Sequence, residues 1–483
     1  MSTAPHRFVR WAAYLVAPLM LAAMIAVNGM REPTYLMGDF RAFYCAGQTV
    51  AHGANPYLTE PLRSCEATAG PPAEPEFLRG VALPAPLPPH GLLLFVPFAL
   101  LPFPLAAACW GALLIGALML AVALWSRVTG ASSIVLNLVF SPIAATVTFY
   151  VGQPVPLVCA ALAAAALLVR ERRWNAAAAC AMVASIEPHV ALAALAGMLV
   201  AFPRVRLPLI ACGAALGAAG ALALGLPATV AYARDVVPAH ALANVYEWQF
   251  SLTSVLTSAG VPAPAAIRAG ELMFAAMLLA GVVVALRLRK LTGDDAVMVL
   301  VPPAFALFGG VHVHFQQLAV AFPAVLYAFV RYPRVRALAA AGLAFAMIPW
   351  NVMCSSVLAG LAPLVAGSFG ALTAGRRAGL VFALGAACIG LSLLLLATAG
   401  LGPQTIHFVA KPYPPNALAE LSWGDFSRAA LARPSVMMQW LRIPTMAGLA
   451  CGLLAIVSAA YGDALRAGRS PLRTTVVAAV TLP

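Results

Sequence analysis

The chain has 483 residues, 63% of them hydrophobic and only 9% charged, with a mean hydropathy of +0.91. Soluble domains carry about 25% charged residues, so a water-soluble globular fold is excluded. The formal net charge of +13 does not point to nucleic acid, because the basic residues lie in short clusters between apolar segments and do not form one face.

Apolar runs of about 16 to 25 residues recur from end to end, each long enough to cross roughly 30 Å of hydrocarbon as a helix. The expected fold is an all-α integral membrane bundle of about 12–14 transmembrane helices with extracytoplasmic loops. It is expected to form one polytopic domain over residues 1–483, with a catalytic half up to about residue 330 and further helices over about 331–483. Basic clusters orient the spans, since cytoplasmic loops are rich in Lys and Arg. Arg7 and Arg10 place the N-terminus inside, and the first span runs over about 11–30. No small-residue cleavage site is evident before Arg31, so this span is read as uncleaved.

Residues 31–88 then lie outside, in a Pro-rich loop with six acids against four arginines. The loop opens with GDFRAFYCAGQTVAHGANPY, Gly38 to Tyr57, which places Asp39 where a helix leaves the bilayer. A carboxylate there can take a proton from a hydroxyl nucleophile; the competing reading is an acid that caps the following helix. Cys45 and Cys65 share this loop and form a disulfide if it is extracytoplasmic, or stand as two free thiols.

Between His90 and Trp125, Pro97, Pro102 and Pro104 leave two short helices or one crossing plus a re-entrant piece as alternatives. Arg170 to Arg173 belong inside, so the helix over about 154–170 starts outside, at Gly152-Gln153. With Arg204 and Arg206 also inside, Glu187-Pro188-His189 is an outward turn between two short helices. The span 207–226 exits to a loop, 227–263, containing YEWQFSLTSVL, and the helix 265–287 returns to Arg287, Arg289 and Lys290. An ascent from about 295 puts GGVHVHFQQ, Gly309 to Gln317, outside. Arg331, Arg334, Arg336, Arg376 and Arg377 mark inner turns, and a third outer loop, about 399–441, holds His407, Lys411, Trp423, Asp425 and Trp440.

Asp39, Gln153, Glu187, His189, Gln249, His312 and His314 are thereby expected together on the outer face. Polar residues at membrane depth are functional candidates. His312 and His314 are two apart, so on a helix they do not share a face and no metal site is expected from them. No nucleotide-binding loop and no metal motif of the CxxC or HExxH kind is present.

The series Asp39-Phe40, Tyr44, Ala46-Gly47, Gly53, Pro56-Tyr57, then LPAPLPPHGLLLFVPFALLP, Gly152-Gln153, the break at Pro188, Gln249-Phe250-Ser251-Leu252, and His312 with His314 resembles glycosyltransferase family 87 over about residues 35–330. The resemblance implies a C-class membrane enzyme, such as the bacterial α-mannosyltransferases, that takes a sugar from a polyprenyl phosphate. It maps the general base to Asp39 and a histidine near the donor phosphate to His312 or His314. Two positions depart from the family's pattern: Glu187 stands where a lysine before proline is usual, and Leu87 where a tyrosine precedes the paired prolines.

The expected activity is inverting transfer of a hexose, mannose-like, to an acceptor hydroxyl on a lipid or glycan. It takes place at the extracytoplasmic face of the inner (plasma) membrane, with membrane lipids as surroundings and neither cofactor nor metal. Arg41, Tyr44, Gln153, Glu187, His189, Gln249, His312 and His314 are the candidate substrate-binding residues. A flippase or transporter of lipid-linked sugars, and a glycan ligase or polymerase, are the alternatives; no internal repeat of the transporter kind is apparent.

Overall fold

A computed structural model describes residues 37–69, 80–142, 148–247, 249–348, 350, 360–396, 398–399, 411–431 and 436–467. The expected first span, with Arg7, Arg10 and Arg31, lies outside the described residues, and so does His407. Among the described residues the regular structure is helical, and the one strand-like pairing is an isolated antiparallel bridge between Leu58 and Leu418.

The outer-loop stretch folds as α1 (Gly38–Ala51), with Asp39 in its first turn. The Cys45–Cys65 disulfide ties it to α2 (Thr59–Thr68), with Cα atoms 5.7 Å apart, so of the two states open to these thiols the chain adopts the bridge. A Cβ at Gly47 would stand 2.7 Å from the carbonyl of Phe95, so α1 meets the 93–95 turn backbone to backbone. Phe40, fully buried, lies nearly parallel to Trp110 at 5.6 Å between ring centroids, while Phe95 packs tilted and Phe98 edge-on against the same indole. This aromatic packing fixes the helix that carries Asp39.

The prolines of the 90–125 region settle its alternatives. Residues 89–99 form a short bent element, and Pro102 then precedes one continuous helix, α3 (Phe103–Thr129), with Pro104 in its first turn, where a missing N–H costs nothing. At 27 residues α3 rises about 40 Å, enough to cross a bilayer. Next come α4 (Val155–Arg170), α5 (Trp174–Val183) with a 3₁₀ turn to Ile186, and α6 (Pro188–Ala201). Glu187 separates them at φ −108° and ψ 82°, outside the helical region, as expected before a proline.

Then α7 (Pro203–Leu224), α8 (Val237–Asn244), α9 (Ala263–Thr292) and α10 (Val297–Gly309) follow. The glycine pair 309–310 stops α10, residues 310–314 are non-helical, and a 3₁₀ turn over Phe315–Ala321 leads into α11 (Phe322–Arg331). The remaining helices are α12 (Arg336–Ala346), α13 (Leu361–Thr373), α14 (Arg376–Leu396), α15 (Ala419–Leu431) and α16 (Val436–Ala467).

Among the described residues five helices are long and apolar enough to cross a membrane: α3, α7, α9, α14 and the stretch Trp440–Gly462 of α16; seven shorter apolar helices accompany them there. Leu207, Leu222 and Leu272 on these spans are 75%, 88% and 73% exposed, a placement that suits hydrocarbon and not water.

Three of the basic clusters used as topology signals meet around Asp294 and Asp295. Arg170 of α4 grips Asp294 with two nitrogens, at 2.8 and 2.6 Å, and donates to the carbonyl of Val128 at the end of α3. Tyr327 and Arg331 of α11 reach the same carboxylate at 3.0 and 3.5 Å. Nearby in sequence Arg289 pairs with Asp295 at 2.6 Å, and Arg287 of α9 lies over the ring of Tyr461 in α16. Asp294 is nearly buried, and a partnered bidentate arginine is what makes a buried carboxylate tolerable.

Candidate active site

A cavity is built where the helices break. It measures about 780 Å³ and is walled by the start of α1, the 83–88 segment, the 151–153 turn, the 185–189 break, α8, α9 and residues 311–317, with Trp423 of α15 closing one part.

Asp39 is aimed by its neighbours. The backbone N–H of Met37 donates to Tyr150 at 2.6 Å, which fastens the start of α1 to the turn before α4. In that turn Gly152 has φ +83°, and a Cβ there would stand 2.6 Å from the Cβ of Phe40, so only glycine fits. Its carbonyl accepts from the Trp110 indole at 2.8 Å. The turn presents Gln153, whose Nε2 donates to Asp39 Oδ2 at 2.6 Å. Removal from bulk water raises the Asp39 carboxyl to about 6, against the Gln153 hydrogen bond, which favours the ionised form.

The second group of polar residues is a linked chain of carboxylates, histidines and two amides. Glu187 Oε2 accepts from Gln317 Nε2 at 2.9 Å and lies 3.9 Å from His189 Nδ1. Gln317 Oε1 accepts from the backbone N–H of His314 at 2.9 Å, which fixes the turn that carries that imidazole. His314 Nδ1 lies 3.8 Å from Glu247 Oε2, and the Trp423 indole donates to Glu247 Oε1. His312 Nδ1 and the Val313 N–H both contact Gln249 Oε1 at 3.2 Å. Burial raises Glu247 to about 8 in spite of the Trp423 hydrogen bond. Burial, then the neighbouring histidines, lower His312 to about 3 and His314 to about 4. The histidines are therefore neutral near pH 7, able to donate or accept but carrying no charge.

Of the residues singled out from sequence, Asp39, Gln153, Glu187, His189, His312 and His314 all line this one cavity. Gln249 is fully buried behind it, with Oε1 3.2 Å from His312 Nδ1. Arg41 and Tyr44 are placed elsewhere: Arg41 is buried on α1 and is not among the lining residues, while the Tyr44 hydroxyl donates to the Leu101 carbonyl at 2.8 Å and its ring packs on Phe103. Two and five residues on from Asp39, they stand about 200° and 140° around the helix axis and face the protein interior instead of the cavity.

Sequence reading missed Glu247, His240, Gln317 and Trp423. Glu247 lies in the YEWQFSL stretch, where an acid among aromatics on an outer loop was a readable signal. Trp423 had none, because its partners, Glu247 and Asn244, are about 180 residues away. Two tyrosines hold the proline wall: Tyr57 OH donates to Leu87 O at 2.9 Å and Tyr232 OH to Pro86 O at 3.3 Å.

Fold and cavity together define a polytopic helical membrane protein with carboxyl groups and uncharged imidazoles facing one shared cavity. Residues 87–308, a little under half the chain, match the model of glycosyltransferase family 87, and this segment is similar to that family. The matched segment contains Gln153, Glu187, His189 and Gln249; Asp39, His312, His314 and Trp423 lie beyond its ends. No curated protein and no solved structure gives a significant match.

Proposed function

We propose that the enzyme moves a sugar, a hexose of mannose type, from a polyprenyl-phosphate donor to a hydroxyl of a lipid or glycan acceptor, with inversion at the anomeric carbon. The acceptor oxygen attacks that carbon as its proton passes to Asp39. The bond to the phosphate oxygen breaks with its electron pair staying on the phosphate. A carboxyl raised to about 6 is ionised at neutral pH yet basic enough to take the proton, which suits a general base.

The observation that carries the reading is the sharing of one cavity by Asp39, held by Gln153, and the histidines of the 312–314 turn. Two reacting partners must meet within contact distance, and a base on one element with phosphate-binding donors on another provides for that. The extracytoplasmic face is favoured by the Cys45–Cys65 bridge, which belongs to an oxidising compartment, and by the separation of the site residues from the arginine-rich end. We place the enzyme in the inner membrane and take the chain as one polytopic unit whose C-terminal helices complete the site through Trp423.

The test is sugar transfer in membranes from a radiolabelled panel of polyprenyl-phosphate sugars, with wild type beside Asp39→Asn. Loss of a positioned base costs on the order of 10²–10⁴ in rate. Equal transfer by both proteins removes Asp39 from the role. Absence of transfer from every donor, with movement of a lipid-linked sugar between leaflets, establishes a flippase instead.

A further inference from the structure

The cavity presents an electrostatic problem. Its lining contains four carboxyl groups, Asp39, Glu187, Glu247 and Glu271, and no lysine or arginine among the described residues. An anionic substrate entering such a space meets repulsion unless the site changes its own charge. Resting on the transferase reading, we propose that the donor phosphate is held without a fixed cation, by the Glu187–His189 and Glu247–His314 pairs, which take up a proton as the anion enters.

The geometry provides for this. Each pair sets an imidazole Nδ1 within 4 Å of a carboxylate oxygen, at 3.9 Å for His189 and 3.8 Å for His314, too long for a formed hydrogen bond but close enough for one to form. Gln317 couples them, donating to the Glu187 carboxylate and accepting from the backbone of His314. His189 and His312 each keep a buried Nε2 with no hydrogen-bond partner, so ring capacity remains unspent. The other titratable groups of the cavity wall are Asp39 from α1, Tyr232 and His240 from the segment ending in α8, Glu271 from α9, and His312. All are acidic or neutral imidazole and phenol, so none supplies a standing positive charge.

The resting state is poised for uptake. Near neutral pH the Glu247–His314 pair is largely a protonated carboxyl beside a neutral imidazole, since burial holds the first up to about 8 and the second down to about 4. A phosphodiester brings one negative charge, which raises the proton affinity of every group facing it, carboxylate and imidazole alike. The proton comes from water and goes to the pairs. An imidazolium then forms beside the phosphate, and charge-assisted hydrogen bonds replace repulsion. When the sugar leaves, the phosphate gains a second charge, the acceptor proton sits on Asp39, and the bound proton on the pairs offsets the new charge.

The test uses the full chain in lipid nanodiscs and farnesyl methyl phosphate, a prenyl phosphodiester with one fixed charge and no titration near neutrality. Binding heats at pH 7.5 in buffers of different ionisation enthalpy give the number of protons exchanged. About one proton taken up is expected, and with it an affinity that weakens toward tenfold per pH unit on the alkaline side. His189→Gln and His314→Gln remove the imidazoles that take the charge, so uptake falls in each relative to wild type. Binding with equal heats in all buffers and no pH dependence overturns the proposal and leaves the transferase reading standing. Uptake unchanged in both variants also overturns it, because the proton then goes elsewhere. No binding of the phosphodiester at any pH overturns both.

Discussion

Gln153→Met tests the coupling between the turn before α4 and the proposed base. Methionine matches glutamine in length and lack of branching but has no N–H to give to Asp39. In the structure that N–H lies 2.6 Å from the carboxylate and favours its ionised form, so losing it raises the Asp39 pKa from about 6. A hydrogen bond to a charged acceptor contributes about 1.5 kcal/mol, and one pKa unit corresponds to about 1.4 kcal/mol, so the shift is about one unit. The acid limb of kcat/KM, which reports groups of the free enzyme, should move from about 6 to about 7. At pH 6.5 the ionised fraction then falls from about three quarters to about one quarter, a loss of about threefold, while above pH 8 the two proteins converge. The assay is transfer from a polyprenyl-phosphate sugar over pH 5 to 9, with folding checked by thermal unfolding in detergent. An unmoved limb in Gln153→Met, or the same limb in the residual activity of Asp39→Asn, refutes the reasoning.

Gly152→Ala introduces a Cβ 2.6 Å from that of Phe40 at a residue with φ +83°. It should cost about 1–3 kcal/mol of stability and displace Gln153, so full transfer activity in a protein of wild-type melting temperature would contradict the site geometry. Replacing both Cys45 and Cys65 by serine opens a loop with a sequence separation of 20 residues. About 3 kcal/mol of stability should be lost, and in the wild type neither thiol should label with maleimide before reduction. Asp294→Asn leaves Arg170 and Arg331 without their carboxylate at the far end of the bundle. About 3 kcal/mol of stability should go, read by thermal unfolding, while transfer per folded molecule stays at the wild-type rate.

Much of this architecture was legible because the bilayer forces helices and the charge pattern sorts the loops. Arg170, Arg289 and Arg331 were assigned to one side from sequence, and all lie at the arginine-rich end; Asp39, Gln153, Glu187 and His314 were assigned to the other, and share the cavity. Glu187-Pro188 was readable as a break because a carboxylate and a proline in an apolar run are both costly inside a straight helix. What could not be read was direction around the helix axis. Arg41 and Tyr44 follow Asp39 closely in α1, and only the aromatic packing of Phe40 on Trp110 decides that Asp39 faces the cavity while they do not. Trp423 was unreadable for a different reason: its role is a contact across most of the chain, and no local pattern encodes such a contact.

The antiparallel bridge between Leu58 and Leu418, with Trp423 five residues further on, bears on how the protein comes into being. The ribosome releases the segment bearing Asp39 early and the one bearing Trp423 late, and the membrane must store the first until the second arrives. Through most of its synthesis the chain therefore has Asp39 but an incomplete cavity wall. A partly inserted chain would lack Trp423 from that wall, so the proposed transfer would become possible only with the last helices.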